Sequence, residues 1–189
     1  MLSTISTFIL KLFGWKISGN HPGQIKKFVS IAITHTSNWD LPVGLLTKGA
    51  TRLNIQWVGK ASLFRFPLGY IFRALGGIPV DRSKSNNFVD SIVQLFNSRE
   101  ELIIFMAPEG TRRKVNKLKT GFYYIAKEAK VPIVMIRLDF AQKDLIFSDP
   151  FYPTDNKEED FQQINAFFKG AVGKNKEWSW EETGNGEPR

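Results

Sequence analysis

The sequence contains no cysteine. That excludes disulfides, a thiol nucleophile and cysteine-ligated zinc or iron–sulfur centres, and it fits a reducing compartment. Histidine is nearly as scarce. Only His21 and His35 occur, without metal-ligand spacing, so no metal is expected. No apolar run approaches the roughly 20 residues that span a bilayer. No basic segment precedes the apolar N-terminal residues as a signal peptide would require. Repeats and low-complexity linkers are absent too. The 189 residues therefore read as one domain, and 42% hydrophobic content is ample for its core.

Acidic residues are sparse in the first two-thirds. Residues 1–130 hold 19 Lys/Arg against 7 Asp/Glu, whereas residues 131–189 hold 7 against 11. A basic field so placed suits anionic lipid, a phosphorylated substrate or nucleic acid, and equally a solvated surface. The N-terminal LSTISTFILKLF is amphipathic. At helical spacing Leu2, Ile5, Phe8, Ile9, Leu12 and Phe13 share one arc, opposite Ser3, Thr4, Thr7 and Lys11. A helix of this length is too short to cross a bilayer, and it suits either a membrane interface or the domain surface. A second aromatic stretch, SLFRFPLGYIFRALGG, places Arg65 and Arg73 among Phe64, Phe66, Tyr70 and Phe72. It reads as an interface with anionic lipid or as a core helix with two exposed arginines.

Strand and helix patterns alternate along the chain. Apolar strands are expected at 28–34, 55–59, 78–80, 102–106 and 133–138. Helices are expected at 41–48, 62–75 (disturbed at Pro67 and Gly69), 88–98, 122–130 and 161–168, with a basic loop at 110–120. This order predicts an α/β fold: a single-domain mixed sheet flanked by helices, preceded by the N-terminal amphipathic helix. The Gly/Glu-rich end from about residue 170 reads as a flexible tail.

Four stretches carry chemistry. HTSNWD puts His35 directly after a strand, where ligand-binding groups of α/β folds collect. On a regular helix His35 and Asp40 would lie about 140° apart, so they meet only if the chain turns between them. Ser37 and Asn38 favour such a turn. The pair is then a general base with its orienting carboxylate, or a capping pair. GGIPVDR delivers Arg82 to a strand end, as a phosphate ligand or in a salt-bridged turn. MAPEGTRRK offers Glu109, Gly110, Thr111 and Arg112 as an anion cradle or a solvated basic loop. VPIVMIRL alone says only that a buried strand follows a helix.

In the order H-x4-D, G-x-x-x-x-D-R, P-E-G-T-R, V-P-I, the four stretches resemble the glycerolipid acyltransferase family, which includes 1-acylglycerol-3-phosphate acyltransferase. The resemblance spans residues 35–136. It implies a glycerol-3-phosphate acyltransferase-like fold and transfer of a fatty acyl chain from a thioester to a lyso-lipid hydroxyl. It makes His35 the base and Asp40 its orienting residue. Arg82, Glu109, Gly110, Thr111 and Arg112 would bind the phosphorylated acceptor, and Val131, Pro132 and Ile133 would lie near the acyl donor. The expected partners are a lyso-lipid, acyl-CoA or acyl carrier protein as co-substrate, and an anionic membrane surface, with no cofactor and no nucleic acid.

The expected organisation is a membrane-interface helix at 1–20, an acyltransferase domain at 21–170 and a tail at 171–189, peripheral or monotopic on the cytoplasmic face of the membrane. Thr34, Pro79, Ala107 and Arg113 depart from the residues common in the family at those positions. They flank the binding motifs and leave open another lyso-lipid acceptor, such as an amino-acid lipid or a lysophospholipid. A non-enzymatic basic module would explain the charge but not the co-occurring motifs.

Overall fold

The computed structural model describes residues 2–80 and 85–181. Its centre is a seven-stranded mixed sheet of order β1-β7-β6-β2-β5-β3-β4. The strands are β1 (Lys16–Gly19), β2 (Lys27–Ile33), β3 (Ile55–Lys60), β4 (Gly77–Val80), β5 (Leu102–Met106), β6 (Ile133–Asp139) and β7 (Asp144–Phe147). β6, β2, β5, β3 and β4 run parallel, while β7 returns antiparallel to β6 and pairs in parallel with β1. The middle strands are buried on both faces, which is why FVSIAI and LIIFM read as continuous apolar runs.

Helices cover both faces. One face packs α4 (Ser85–Ser98), α5 (Gly121–Ala129) and α6 (Lys157–Phe168) through Ile92, Phe96, Phe122, Ile125, Ile164 and Phe168. The other packs α1 (Leu2–Leu12) and α2 (Asp40–Thr51) through Leu10 and Val43 against Phe28, Ala32, Val134 and Ile136. The pattern expected as one helix at 62–75 is a 3-10 turn, Ala61–Phe64, then α3 (Leu68–Ala74), with Pro67 at the helix boundary.

Two expectations require correction. Residues 1–20 are not all helical: α1 stops at Leu12, the chain reverses at Gly14 (φ +78°), and β1 joins the sheet edge. Trp15 anchors this reversal, edge-on to Phe140 with ring centroids 4.9 Å apart. The expected tail is tied to the domain over its first eleven residues, although Lys174, Lys176, Glu177, Trp178 and Glu181 are exposed. Ala171, Ser179 and Trp180 are buried, and a 3-10 turn forms at Lys176–Trp178. The indole supplies the apolar area that its mostly polar neighbours lack.

Because five strands run parallel, the chain leaves β2 and β5 at one edge of the sheet. β2 pairs Ile31 with Met106 of β5. The loops that follow, carrying His35 and Glu109, are therefore neighbours although 74 residues separate them.

Candidate active site

His35 lies two residues beyond β2, and Asp40 opens α2. Between them the chain turns: the Asp40 N–H donates to the Ser37 carbonyl at 3.3 Å. The turn brings His35 Nδ1 within 2.9 Å of Asp40 Oδ2. That same oxygen accepts from the Ser37 N–H at 2.9 Å, so one carboxylate fixes both the ring and the turn. The first helical turn of α2 also favours a negative charge there. The Asp40 side chain is 5% exposed and that of His35 is 24% exposed. A buried acid therefore orients a ring that solvent and substrate can reach. With Nδ1–H donating to Asp40, Nε2 carries the lone pair. It makes no hydrogen bond among the described residues.

Glu109 approaches from the β5 side. It is buried, and its Oε2 accepts from the His35 backbone N–H at 2.6 Å. Its observed partner is the main chain of the catalytic candidate rather than an outward-facing anion cradle. The carboxylate is turned onto the His35 main chain, and a buried carboxylate would repel a phosphate. Burial pushes its pKa up from 4.5 to about 7, and the charge on Asp40 adds to the rise. The His35 N–H bond and ring act in the opposite direction.

A testable consequence follows for stability. The unfolded chain releases the Glu109 proton near 4.5, whereas the folded protein holds it until about 7. Stability from this group is therefore fully present below 4.5, falls as pH rises to 7, and stays reduced above. Glu109→Gln keeps an oxygen for the His35 N–H and removes the buried charge. Its melting temperature should draw ahead of wild type from about pH 4.5 and level off above pH 7, a gain on the order of 1–3 kcal/mol. Melting curves from pH 4 to 9 check this; a gap independent of pH would contradict it.

The rest of the P-E-G-T-R loop faces outward. Gly110 has φ +66°, and a side chain there would also meet the Lys119 side chain, so the tight turn needs glycine. Thr111 Oγ1 accepts from the Arg113 N–H at 3.3 Å, shaping the turn. Arg112 is exposed and makes no ion pair among the described residues.

Arg82 lies outside the described residues. Val131, Pro132 and Ile133 do not join the site. Ile133 begins β6 opposite Val29, whereas the site follows Ile33, which pairs with Arg137. The parallel register thus puts them at the opposite sheet edge, roughly 15–20 Å from His35 along the strands. Val131 and Ile133 are buried, and the Pro132 carbonyl accepts from the Val29 N–H, so these residues build the sheet.

A His–Asp pair at the carboxyl edge of a mostly parallel sheet, beside a loop with a free arginine, is suited to activating a hydroxyl near an anionic group. The sequence profile of the acyltransferase family matches residues 17–139, about two-thirds of the chain, and the protein belongs to that family. Among solved structures it is similar to the 1-acyl-sn-glycerophosphate (LPA) acyltransferase PlsC from Thermotoga maritima. The TM-score is 0.57 at 17% identity, covering 89% of this chain and 75% of that one, a likeness of fold. No curated protein sequence matches the chain.

Proposed function

We propose that the protein transfers a fatty acyl chain from a thioester to the hydroxyl of a lyso-glycerolipid, with 1-acylglycerol-3-phosphate as acceptor and phosphatidic acid as product. The carrying observation is the 2.9 Å contact between His35 Nδ1 and Asp40, which leaves Nε2 available beside the Arg112 loop. His35 Nε2 takes the hydroxyl proton as the oxygen attacks the thioester carbonyl. The tetrahedral intermediate collapses by losing the thiolate of CoA or acyl carrier protein, and the imidazolium returns the proton to sulfur. A thiol is a good leaving group, so the base does most of the work and no covalent enzyme intermediate is needed.

Arg112 supplies the cation for the acceptor phosphate. Arg112→Ala should raise the KM for lysophosphatidate about 10- to 100-fold, the range for losing a charged hydrogen bond, with kcat little changed. An unchanged acceptor KM with impaired donor use would refute this role. The substrate itself is tested with a panel of lysophosphatidate, lysophospholipid and amino-acid lyso-lipid acceptors. A clear preference for lysophosphatidate supports the reading. Preference for an uncharged or zwitterionic acceptor would replace it with another lyso-lipid activity.

The same reading places the protein on the cytoplasmic face of a membrane, held at the surface. Among the described residues no helix is long and apolar enough to cross a bilayer. The apolar arc of α1 nevertheless faces outward. Leu2, Phe8 and Leu12 are 77%, 66% and 69% exposed, while Ser6 and Leu10 face the domain. Phe66, Leu68, Tyr70 and Ile71 are also exposed, near the exposed cations Arg65 and Arg73. Apolar side chains beside arginines suit the headgroup boundary of an anionic bilayer.

A further inference from the structure

Residues 171–181 follow α6 and lie beyond the stretch that the family profile matches. They do not leave the domain. The Val172 carbonyl accepts from the Phe140 N–H at 2.8 Å, just past β6. Gly173 then passes so close to β2's exit that an added Cβ would lie 2.5 Å from Thr36 Oγ1 and 2.9 Å from Thr34 Oγ1. Asn175 makes two bonds to a single residue: its N–H donates to Thr36 Oγ1 at 3.2 Å, and its Nδ2 donates to the Thr36 carbonyl at 2.8 Å. The Gly173 N–H donates to Ser179 Oγ at 2.9 Å, closing the segment on itself. Trp180 is buried in the hydrophobic core on the α4–α5–α6 face, and Glu181 pairs with Lys114 of the basic loop at 2.9 Å. The segment thus crosses the sheet's carboxyl edge from β6, over β2, to the loop after β5.

Thr36 is next to His35 and is 1% exposed. The His35 main chain is therefore gripped from two sides, by Glu109 on its own N–H and by Asn175 on the residue that follows. We propose that residues 171–181 form a strap that sets the position of the catalytic histidine, with Asn175 as a positioning residue for acyl transfer. This rests on the proposed activity only for its kinetic consequence. The Lys114–Glu181 pair is exposed and adds little to the hold. The two part-buried Asn175 bonds, made to the fully buried Thr36, and the close passage of Gly173 do the positioning.

The physical reason for an effect on rate is alignment. Nε2 must meet the acceptor hydroxyl at hydrogen-bond distance, and displacement by about 1 Å can cost up to about 100-fold. Asn175→Ala removes the bond to the Thr36 carbonyl, and Thr36→Val removes the acceptor of the Asn175 N–H. Thr36→Ser keeps that acceptor.

The test combines kinetics with imidazole NMR on the full chain. Two histidines give few imidazole signals, and His21 is an internal reference, since its ring bonds Thr51 and Gly23 instead. Asn175→Ala and Thr36→Val should each lower kcat about tenfold, with both substrate KM values within about twofold of wild type. Thr36→Ser should keep most of the wild-type rate. In the two slow variants the His35 ring signals should shift while those of His21 stay in place. Wild-type kcat with unmoved His35 signals in Asn175→Ala would overturn the proposal. So would a loss of rate that only tracks the unfolded fraction in melting curves. Wild-type protein without acyl transfer would defeat the proposed activity instead, and the His35 signals would still decide whether the strap positions the ring.

Discussion

His35→Ala should lower acyl transfer by about 10²- to 10⁴-fold, the usual contribution of a positioned general base. The expectation rests on what the side chain touches. Its only polar contact among the described residues is Asp40, so its removal strands no partner except that carboxylate, which keeps the Ser37 N–H. The fold should therefore survive, with a melting temperature close to wild type. Binding should survive too: in the proposed reading the acceptor would still meet Arg112 and the donor would not depend on the imidazole, so both KM values should stay near wild type. A loss confined to kcat is the mark of an interaction made in the transition state. Initial rates with purified protein in lipid micelles, beside a thermal melt, check all three points.

The second large effect is expected of Asp40→Asn, about 10²-fold or more in kcat. The carboxylate does two things that an amide does only in part. In the proposed mechanism it accepts from Nδ1–H, which would hold the neutral ring in the tautomer with a basic Nε2, and it would stabilise the imidazolium formed as the proton arrives. An asparagine can turn its NH2 toward Nδ1, selecting the opposite tautomer and leaving Nε2 protonated. It also gives up the charge. Imidazole NMR reads the tautomer directly, and a variant that retains the wild-type tautomer and rate would refute the role given to Asp40.

Much of this was legible in the sequence, for a definite reason. The inner strands are buried on both faces, so β2, β5 and β6 stand out as largely apolar runs, and the helices between them show their spacing. The H-x4-D pair is also readable, because five residues on a helix diverge and only a turn after a strand can join them. The edge strands were not legible: KISG and DLIF are four residues each and carry too little pattern. The inward direction of Glu109 was not legible, because a carboxylate in a basic loop looks like a surface group and its direction depends on the β2–β5 register. The place of Val131–Ile133 was not legible either: the stretch reads only as a buried strand after a helix, and the register that makes that strand end, not start, beside His35 is absent from the sequence. The strap was hidden by its mostly polar and charged residues, Lys174, Asn175, Lys176 and Glu177. Trp178 and Trp180 were the signal, since tryptophan seldom serves a solvated tail.

The central claim is that His35 and Asp40 act as one catalytic unit on a lyso-lipid hydroxyl. The most direct test compares turnover of lysophosphatidate by His35→Ala and by the double variant His35→Ala/Asp40→Asn, with wild type and Asp40→Asn in parallel. If Asp40 acts through the histidine, the double variant should be no slower than His35→Ala alone, within about twofold. If the two losses multiply, Asp40 contributes independently of His35, and the account of a base with its orienting carboxylate is wrong.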